Sequence, residues 1–375
     1  MADSMIDSNS RSIAIFGSYF ALCLGLLSLI LSRLNFRNFS KVSGSYVFTS
    51  LAVASLGSTW YYMVSFFMKS YGDWQASQVF MPSDDGELQL GEWLSDVKLF
   101  QHAWGAVVES PQRWWWSQQI FLATAAWSVF LAAEGSRRGI KNLWSFMLIG
   151  QVVSVSFASN LFFLTILLNE PSPSAPVEAP KLDPSAVKAK RLPNWLYFTV
   201  TVPLGLSYLC AYMTPKTFDS SAFLPFLLVP HVLLLAIPIV FERLASSGEL
   251  AIHIPANRWK SFWKPQYRLC SLISVACHAN AISQVTAHGM TVKDVVVGTL
   301  SALYEHPAVS SVGWDVIMMA VSVGTWVGVR GIDFSINPDA KRKGGDWINA
   351  TAAWIYMALG SAGLSAVAFA GELEE

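Results

Sequence analysis

Residues 113–138 constrain the chain most. The stretch opens on Arg113 and the tryptophans Trp114, Trp115 and Trp116, and it closes on Glu134, Arg137 and Arg138. Between Trp116 and Glu134 its polar side chains are Ser117, Gln118, Gln119, Thr124 and Ser128 alone. An apolar run of about 20 residues matches the hydrocarbon thickness of a bilayer. Inside lipid the backbone must satisfy its own hydrogen bonds, so the run is predicted to be a helix. The tryptophans then read as an interfacial anchor. An ionisable residue at membrane depth is costly, which makes Glu134 a functional candidate by default.

Similar runs recur at 12–32, 45–68, 143–168, 195–213, 222–241, 269–288, 308–329 and 347–370. With 53% hydrophobic and 13% charged residues, well below the roughly 25% charge of soluble domains, the chain reads as an all-α polytopic membrane protein. The expected fold is a bundle of about 8–9 transmembrane helices. Residues 1–169 form an N-terminal half of four spans with a long 69–113 loop. Residues 170–194 are a Pro-rich linker carrying Pro171, Pro173, Pro176, Pro180 and Pro184. Residues 195–375 supply the remaining four to five spans. Within the long loop, 91–107 suggests an amphipathic helix lying at the interface.

Strict alternation of spans puts Arg33, Arg37 and Lys41 on one side with Arg137, Arg138 and Lys141. It sends Lys188, Lys190 and Arg191, then Arg258, Lys260 and Lys264, then Lys341, Arg342 and Lys343 to the other. That conflicts with the tendency of basic loops to share one side. A re-entrant or miscounted segment would remove the conflict.

The formal net charge is zero, which gives no argument for nucleic-acid binding. The four cysteines (Cys23, Cys210, Cys270, Cys277) sit singly in apolar segments and read as packing residues. No His-Glu-x-x-His spacing, clustered carboxylate run, phosphate loop or GxSxG elbow occurs, so neither a metal nor a cofactor is expected.

Two acids at span positions remain as candidate catalytic residues, Glu134 and Asp315. By alternation both belong toward the same membrane face. Burial keeps one carboxyl protonated and a neighbouring carboxylate ionised, which makes an acid–base pair. The structural alternatives are that Glu134 closes its span beside Arg137 and Arg138, and that Asp315 is a helix-start acid favoured by the dipole. Of the histidines, only His278 and His288 fall plausibly within a span, and Asn280, Gln284 and His288 form one helical stripe. Gln119, Trp127, Gln151, Asn160 and Trp314 complete the candidate substrate pocket, its aromatics being able to stabilise a cation through their faces.

The block Trp114-Trp-Trp-Ser-Gln-Gln-Ile-Phe-Leu, the block Phe130-Leu-Ala-Ala-Glu134-Gly-Ser-Arg-Arg, and Ser156-Phe-Ala-Ser-Asn160, together with Trp314-Asp315, resemble fungal integral-membrane terpene cyclases of meroterpenoid pathways. The ascochlorin/ascofuranone-type members are closest in size. The resemblance implies metal-independent, acid-initiated cyclisation of an epoxidised prenyl chain on an aromatic or polyketide acceptor, in an endoplasmic-reticulum membrane. It implies a prenylated small molecule and the lipid bilayer as partners, and two intramembrane acids matching Glu134 and Asp315. The chain is longer than the shorter members and adds C-terminal spans. Three alternatives stand beside it: a sterol or lipid isomerase or binding protein, a small-molecule transporter using the proline-broken spans and the Asn280/Gln284/His288 stripe, and a structural membrane protein with no chemistry.

Overall fold

The structure is a computed structural model. It describes residues 2–42, 44–78, 89–169, 192–286, 291–331, 347–359 and 361–373. Helices α1 (Ala2–Leu31), α2 (Ser45–Ser77), α3 (Leu90–Asp96), α4 (Leu99–Val108) and α5 (Pro111–Phe130) come first, and a π-helical turn, Leu131–Gly135, extends α5. Next are α6 (Leu143–Val152), α7 (Val155–Asn169), α8 (Asn194–Met213), α9 (Phe223–Ser246), α10 (Glu249–His253) and α11 (Ala256–Val285). The chain ends with α12 (Val292–Glu305), α13 (Pro307–Arg330), α14 (Trp347–Leu359) and α15 (Ser365–Glu372). The described residues contain no strand.

Among the described residues five helices are long and apolar enough to cross a membrane: Asn9–Leu31, Ser45–Ser77, Asn194–Thr217, Phe223–Ser246 and Pro307–Arg330. They make the chain a multi-pass helical membrane protein by length and composition. The expected 8–9 spans exceed these five. The 69–113 connection is largely helical where described, being the end of α2 followed by α3 and α4. The proposed single surface helix at 91–107 is two short helices broken at Val97.

The segment 143–168 does not cross. It runs inward as α6, breaks at Val153 and Ser154, and returns as α7. Phe146 packs edge-on against Phe162 at 5.2 Å, and a Cβ on Gly150 would sit 3.2 Å from Ala158, so the two helices are antiparallel. α7 then runs alongside α13 in the same direction. Ser159 Oγ donates to Met319 Sδ at 3.2 Å, Asn160 Nδ2 to Ser322 Oγ at 2.8 Å, and Phe163 stacks on Trp326 at 4.5 Å. The segment is therefore a re-entrant hairpin with its tip inside the bundle.

A broken backbone at that depth must have its polar groups satisfied by neighbours. Tyr19 Oη on α1 donates to the Val152 carbonyl at 2.7 Å, at the end of α6. Asp315 on α13 accepts the free N–H groups that begin α7. At the hairpin's base, the Glu242 carboxylate on α9 accepts from Asn142 N at 2.6 Å and Leu143 N at 2.8 Å, which caps α6. Both half-helices are thus capped by acids from distant parts of the chain.

The turn into the hairpin is equally specified. Gly139 adopts a φ of 65° and Ile140 N donates to Gly135 O at 2.9 Å, the left-handed close of a helix end. A Cβ on Gly135 would run into the Leu143 side chain, so a larger residue there would have to displace it.

The reversal also accounts for the charge conflict. Asn38 donates to Leu168 O at 3.4 Å, and Gly44 lies against Val329 and Leu167. Trp195 meets His253, and Tyr197 and Phe241 meet Phe262. The ends of α1, α5, α7, α9 and α13 and the starts of α2, α6, α8 and α11 therefore share one end of the bundle. Arg33, Arg37, Lys41, Arg137, Arg138, Lys141, Arg258, Lys260 and Lys264 belong to it. Lys188, Lys190, Arg191, Lys341, Arg342 and Lys343 lie outside the described residues.

Candidate functional site

Asp315 sits on α13 at the hairpin tip and is 6% exposed. Its Oδ1 accepts from Ser154 Oγ at 2.7 Å and Ser156 N at 2.8 Å, and its Oδ2 accepts from Val155 N at 3.0 Å. Ser154 Oγ and Ser156 Oγ are 2.9 Å apart and steady each other. A carboxylate holding three donors at a helix N-terminus is in the company that negative charge prefers. The sequence alternative of a helix-start acid is met in altered form: the helix that Asp315 serves is α7 and not its own.

Beside this cap lies a cavity of about 110 Å³. Its apolar wall comes from Trp104, Ile120, Phe121, Val155, Leu234 and Val312, and its polar groups are Asp315, His231, Gln151 and Thr124. His231 is on α9, next to Pro230 and well inside the span Phe223–Ser246; the expectation that only His278 and His288 fall in spans overlooked it, although the run 222–241 contains it. Its Nδ1 lies 3.0 Å from the Leu227 carbonyl. A carbonyl only accepts, so Nδ1 carries the proton and in the neutral ring Nε2 is the acceptor nitrogen. Gln151 Nε2 donates to the His231 carbonyl at 2.9 Å and ties the hairpin tip to α9 at this residue. The hydroxyl of Thr124 turns back to Ile120 O at 2.6 Å.

Glu134 occupies a different place. It is fully buried in the π turn and accepts from Arg137 Nε at 3.0 Å and Nη2 at 2.5 Å, and from Arg138 Nε at 3.2 Å. It does not line the cavity. The expectation that both acids lie toward one face fails for a geometric reason: α5 and α13 run in the same direction. Arg113 pairs with Glu305 at 3.1 Å, Trp116 lies 3.4 Å from where a Gly313 Cβ would be, and Trp127 and Trp326 both flank Phe163. From the level of Trp116 and Gly313, Glu134 is about five turns along and Asp315 less than one. At 1.5 Å per residue that is a separation of about 24 Å along the bundle.

The other expected pocket residues divide. Gln151 lines the cavity. Asn160 is one turn behind it, donating to Ser55 Oγ at 3.3 Å, Ser322 Oγ at 2.8 Å and Ser156 O at 2.9 Å, which joins α2, α7 and α13. Gln119 is fully buried but bonds Trp115 O and the Ala362 amide, tying α5 to the C-terminal segment. Trp127 belongs to an aromatic cluster with Phe130, Phe162, Phe163 and Phe369. Trp314 packs at the edge of the core. None of these last three lines the cavity. Asn280 and Gln284 line a separate crevice of about 10 Å³ with Gln118, room for one water, and His288 lies outside the described residues. Among the described residues no three His, Cys, Asp or Glu side chains gather in a metal-ligating group.

Sequence reading did not place His231 or Trp104 at the site. The signal for His231 was a histidine flanked by proline in an otherwise apolar run, where a lone imidazole has to face protein.

Fold and site together define a multi-pass helical membrane protein with a carboxylate and an imidazole on one small, mostly apolar cavity. Residues 92–166 match the family described as protein of unknown function DUF2834. The matched stretch holds α4, α5 and most of the hairpin, so it includes Gln151 and Ser154 and stops short of His231 and Asp315. No curated protein and no solved structure is a match.

Proposed function

We propose that the chain is a metal-independent terpene cyclase working at the hairpin tip, on the end of an epoxidised prenyl chain attached to an aromatic or polyketide acceptor. The observation that carries this reading is the sharing of one cavity by His231 and Asp315, with Trp104 and Phe121 in its wall. In this reading the imidazolium form of His231 gives its Nε2 proton to the epoxide oxygen. The carbon–oxygen bond breaks as the prenyl double bond attacks the carbon released. The cyclised cation then returns a carbon-bound proton to Nε2, so the reaction is an isomerisation with no net change in atoms.

Asp315 supplies the negative charge opposite the cation and keeps its cap on α7. This differs from the sequence expectation, which made Glu134 and Asp315 together an acid–base pair. A cavity of about 110 Å³ is smaller than the roughly 150 Å³ site that holds benzene, so it takes the reacting end and not the whole substrate. Glu134, held by two arginines, keeps a structural role. The collected basic residues favour a cytoplasmic placement of their end, in the endoplasmic-reticulum membrane.

The test is incubation of microsomes carrying the full chain with a prenylated-phenol epoxide. Cyclised product, reduced at least tenfold by His231→Gln at equal protein level, is expected. No product, or product unaffected by His231→Gln and Asp315→Asn, would refute the reading.

A further inference from the structure

A second concave site lies at the end of the bundle opposite the basic residues. Where α11 ends and α12 crosses beside the start of α5, Trp115, Ile282, Val285, Val296 and Leu300 line a groove of about 310 Å³. Apart from Thr299 every residue of its lining is apolar, and the Thr299 carbonyl already accepts Trp116 Nε1–H at 2.8 Å. A ligand here therefore finds contact area and almost no hydrogen-bonding partners.

The surroundings say what that ligand is. Leu272, Val275 and Ile282 form an exposed apolar strip along α11, and it runs into the groove at Ile282. Val292, Val296, Val297 and Leu300 of α12 are exposed on its far side. Beyond the groove charge reappears at the two ends of α12, as Lys293 and Asp294 in its first turn and Glu305 paired with Arg113 at its last. An apolar strip that ends at charged groups marks the boundary of hydrocarbon and headgroups. The groove sits on that boundary and opens onto the strip. Its volume takes about ten methylene-sized groups at roughly 30 Å³ each.

We propose that the groove between α5, α11 and α12 binds one acyl chain of a bilayer phospholipid, drawn from the leaflet opposite the basic end. It is separate from the cavity at Asp315 and does not rest on the cyclase reading.

The test uses the full chain in nanodiscs of phosphatidylcholine containing a small fraction of the same lipid with a diazirine in one acyl chain. After illumination, adducts are mapped by mass spectrometry. Peptides spanning 282–300 should carry at least fivefold more adducts than α8 peptides holding the simply exposed Phe198 and Leu209. Val296→Trp, which fills the groove, should remove that excess and leave the α8 adducts unchanged. Leu300→Trp, filling from a second position, should do the same, and elution as a single species checks that each variant is folded. Equal labelling of the two regions in the wild type would overturn the proposal. So would an excess that survives both substitutions in folded protein, or one produced by a prenylphenol diazirine and not by the lipid probe.

Discussion

Two buried carboxylates in the bundle, Asp315 and Glu134, differ in everything but burial. Asp315 meets neutral donors, two amides and a hydroxyl, at the broken tip of a hairpin, with an imidazole on the same cavity. Glu134 meets two guanidinium groups at the end of its helix, and both arginines keep some contact with solvent. The first arrangement leaves a polar carboxylate edge facing a cavity, and the second consumes the charge in an ion pair. An acid inside a span therefore marks a site only once its partners are known. Glu242, which caps α6 at the hairpin's base, is a third case in which an acid serves backbone alone.

Substitutions at these acids should separate the two regions. Asp315→Ala leaves the buried Val155 and Ser156 amides without their acceptor. It should lower stability by about 2–5 kcal/mol and, on the proposed cyclase reading, abolish cyclisation. Asp315→Asn keeps an acceptor oxygen for α7 but not the charge. Thermal unfolding in detergent should move little, while turnover on the prenylphenol epoxide falls about a hundredfold or more. If Asp315→Asn turns over normally, the contrast between the two acids is empty.

Glu134→Gln should behave in the opposite way. Stability should fall by about 1–3 kcal/mol, less than for a fully enclosed pair because water reaches the arginines. Turnover per folded molecule should stay within about threefold. A hundredfold loss there would return Glu134 to the chemistry. Tyr19→Phe removes the donor to the Val152 carbonyl and should cost about 1 kcal/mol, read as a lower unfolding midpoint.

The smallest effect is expected at His306, at the start of α13 outside the spans. Its Nδ1 accepts the Ala308 amide at 3.2 Å. Burial, then the charges of Arg113 and Lys69, hold its pKa below the usual 6.5. The unfolded chain thus binds a proton more readily than the folded one. Stability is complete above pH 6.5 and declines as pH falls from 6.5 toward the lowered folded value. His306→Asn, which retains an acceptor that does not titrate, should flatten that decline in pH-dependent melting curves.

Much of this was legible in the chain itself. Apolar runs and charge depletion define an all-helical membrane protein, and the depth of Asp315 within its run is visible from Pro307 onward. Arg137 and Arg138 beside Glu134 already announce the ion pair. The hairpin was hidden because its length and hydropathy equal those of a span, and no proline marks the break. What specifies the break is long-range: Tyr19 and Asp315 supply, from 133 and about 160 positions away, the hydrogen bonds that Val152, Val155 and Ser156 lose to it. The imbalance of basic loops was its one local trace. His231 escaped notice for a related reason, since its importance comes from what α6 and α13 bring beside it.

The re-entrant hairpin carries the whole arrangement, because it sets Asp315 at mid-bundle and separates it from Glu134. Side-specific labelling tests it most directly. In a chain with its four cysteines replaced by serine, single cysteines at Lys141 and Ser174 flank the segment. In sealed microsomes both should react with a membrane-impermeant maleimide from the same side. Labelling of the two from opposite sides would make 143–169 a crossing helix and contradict the account.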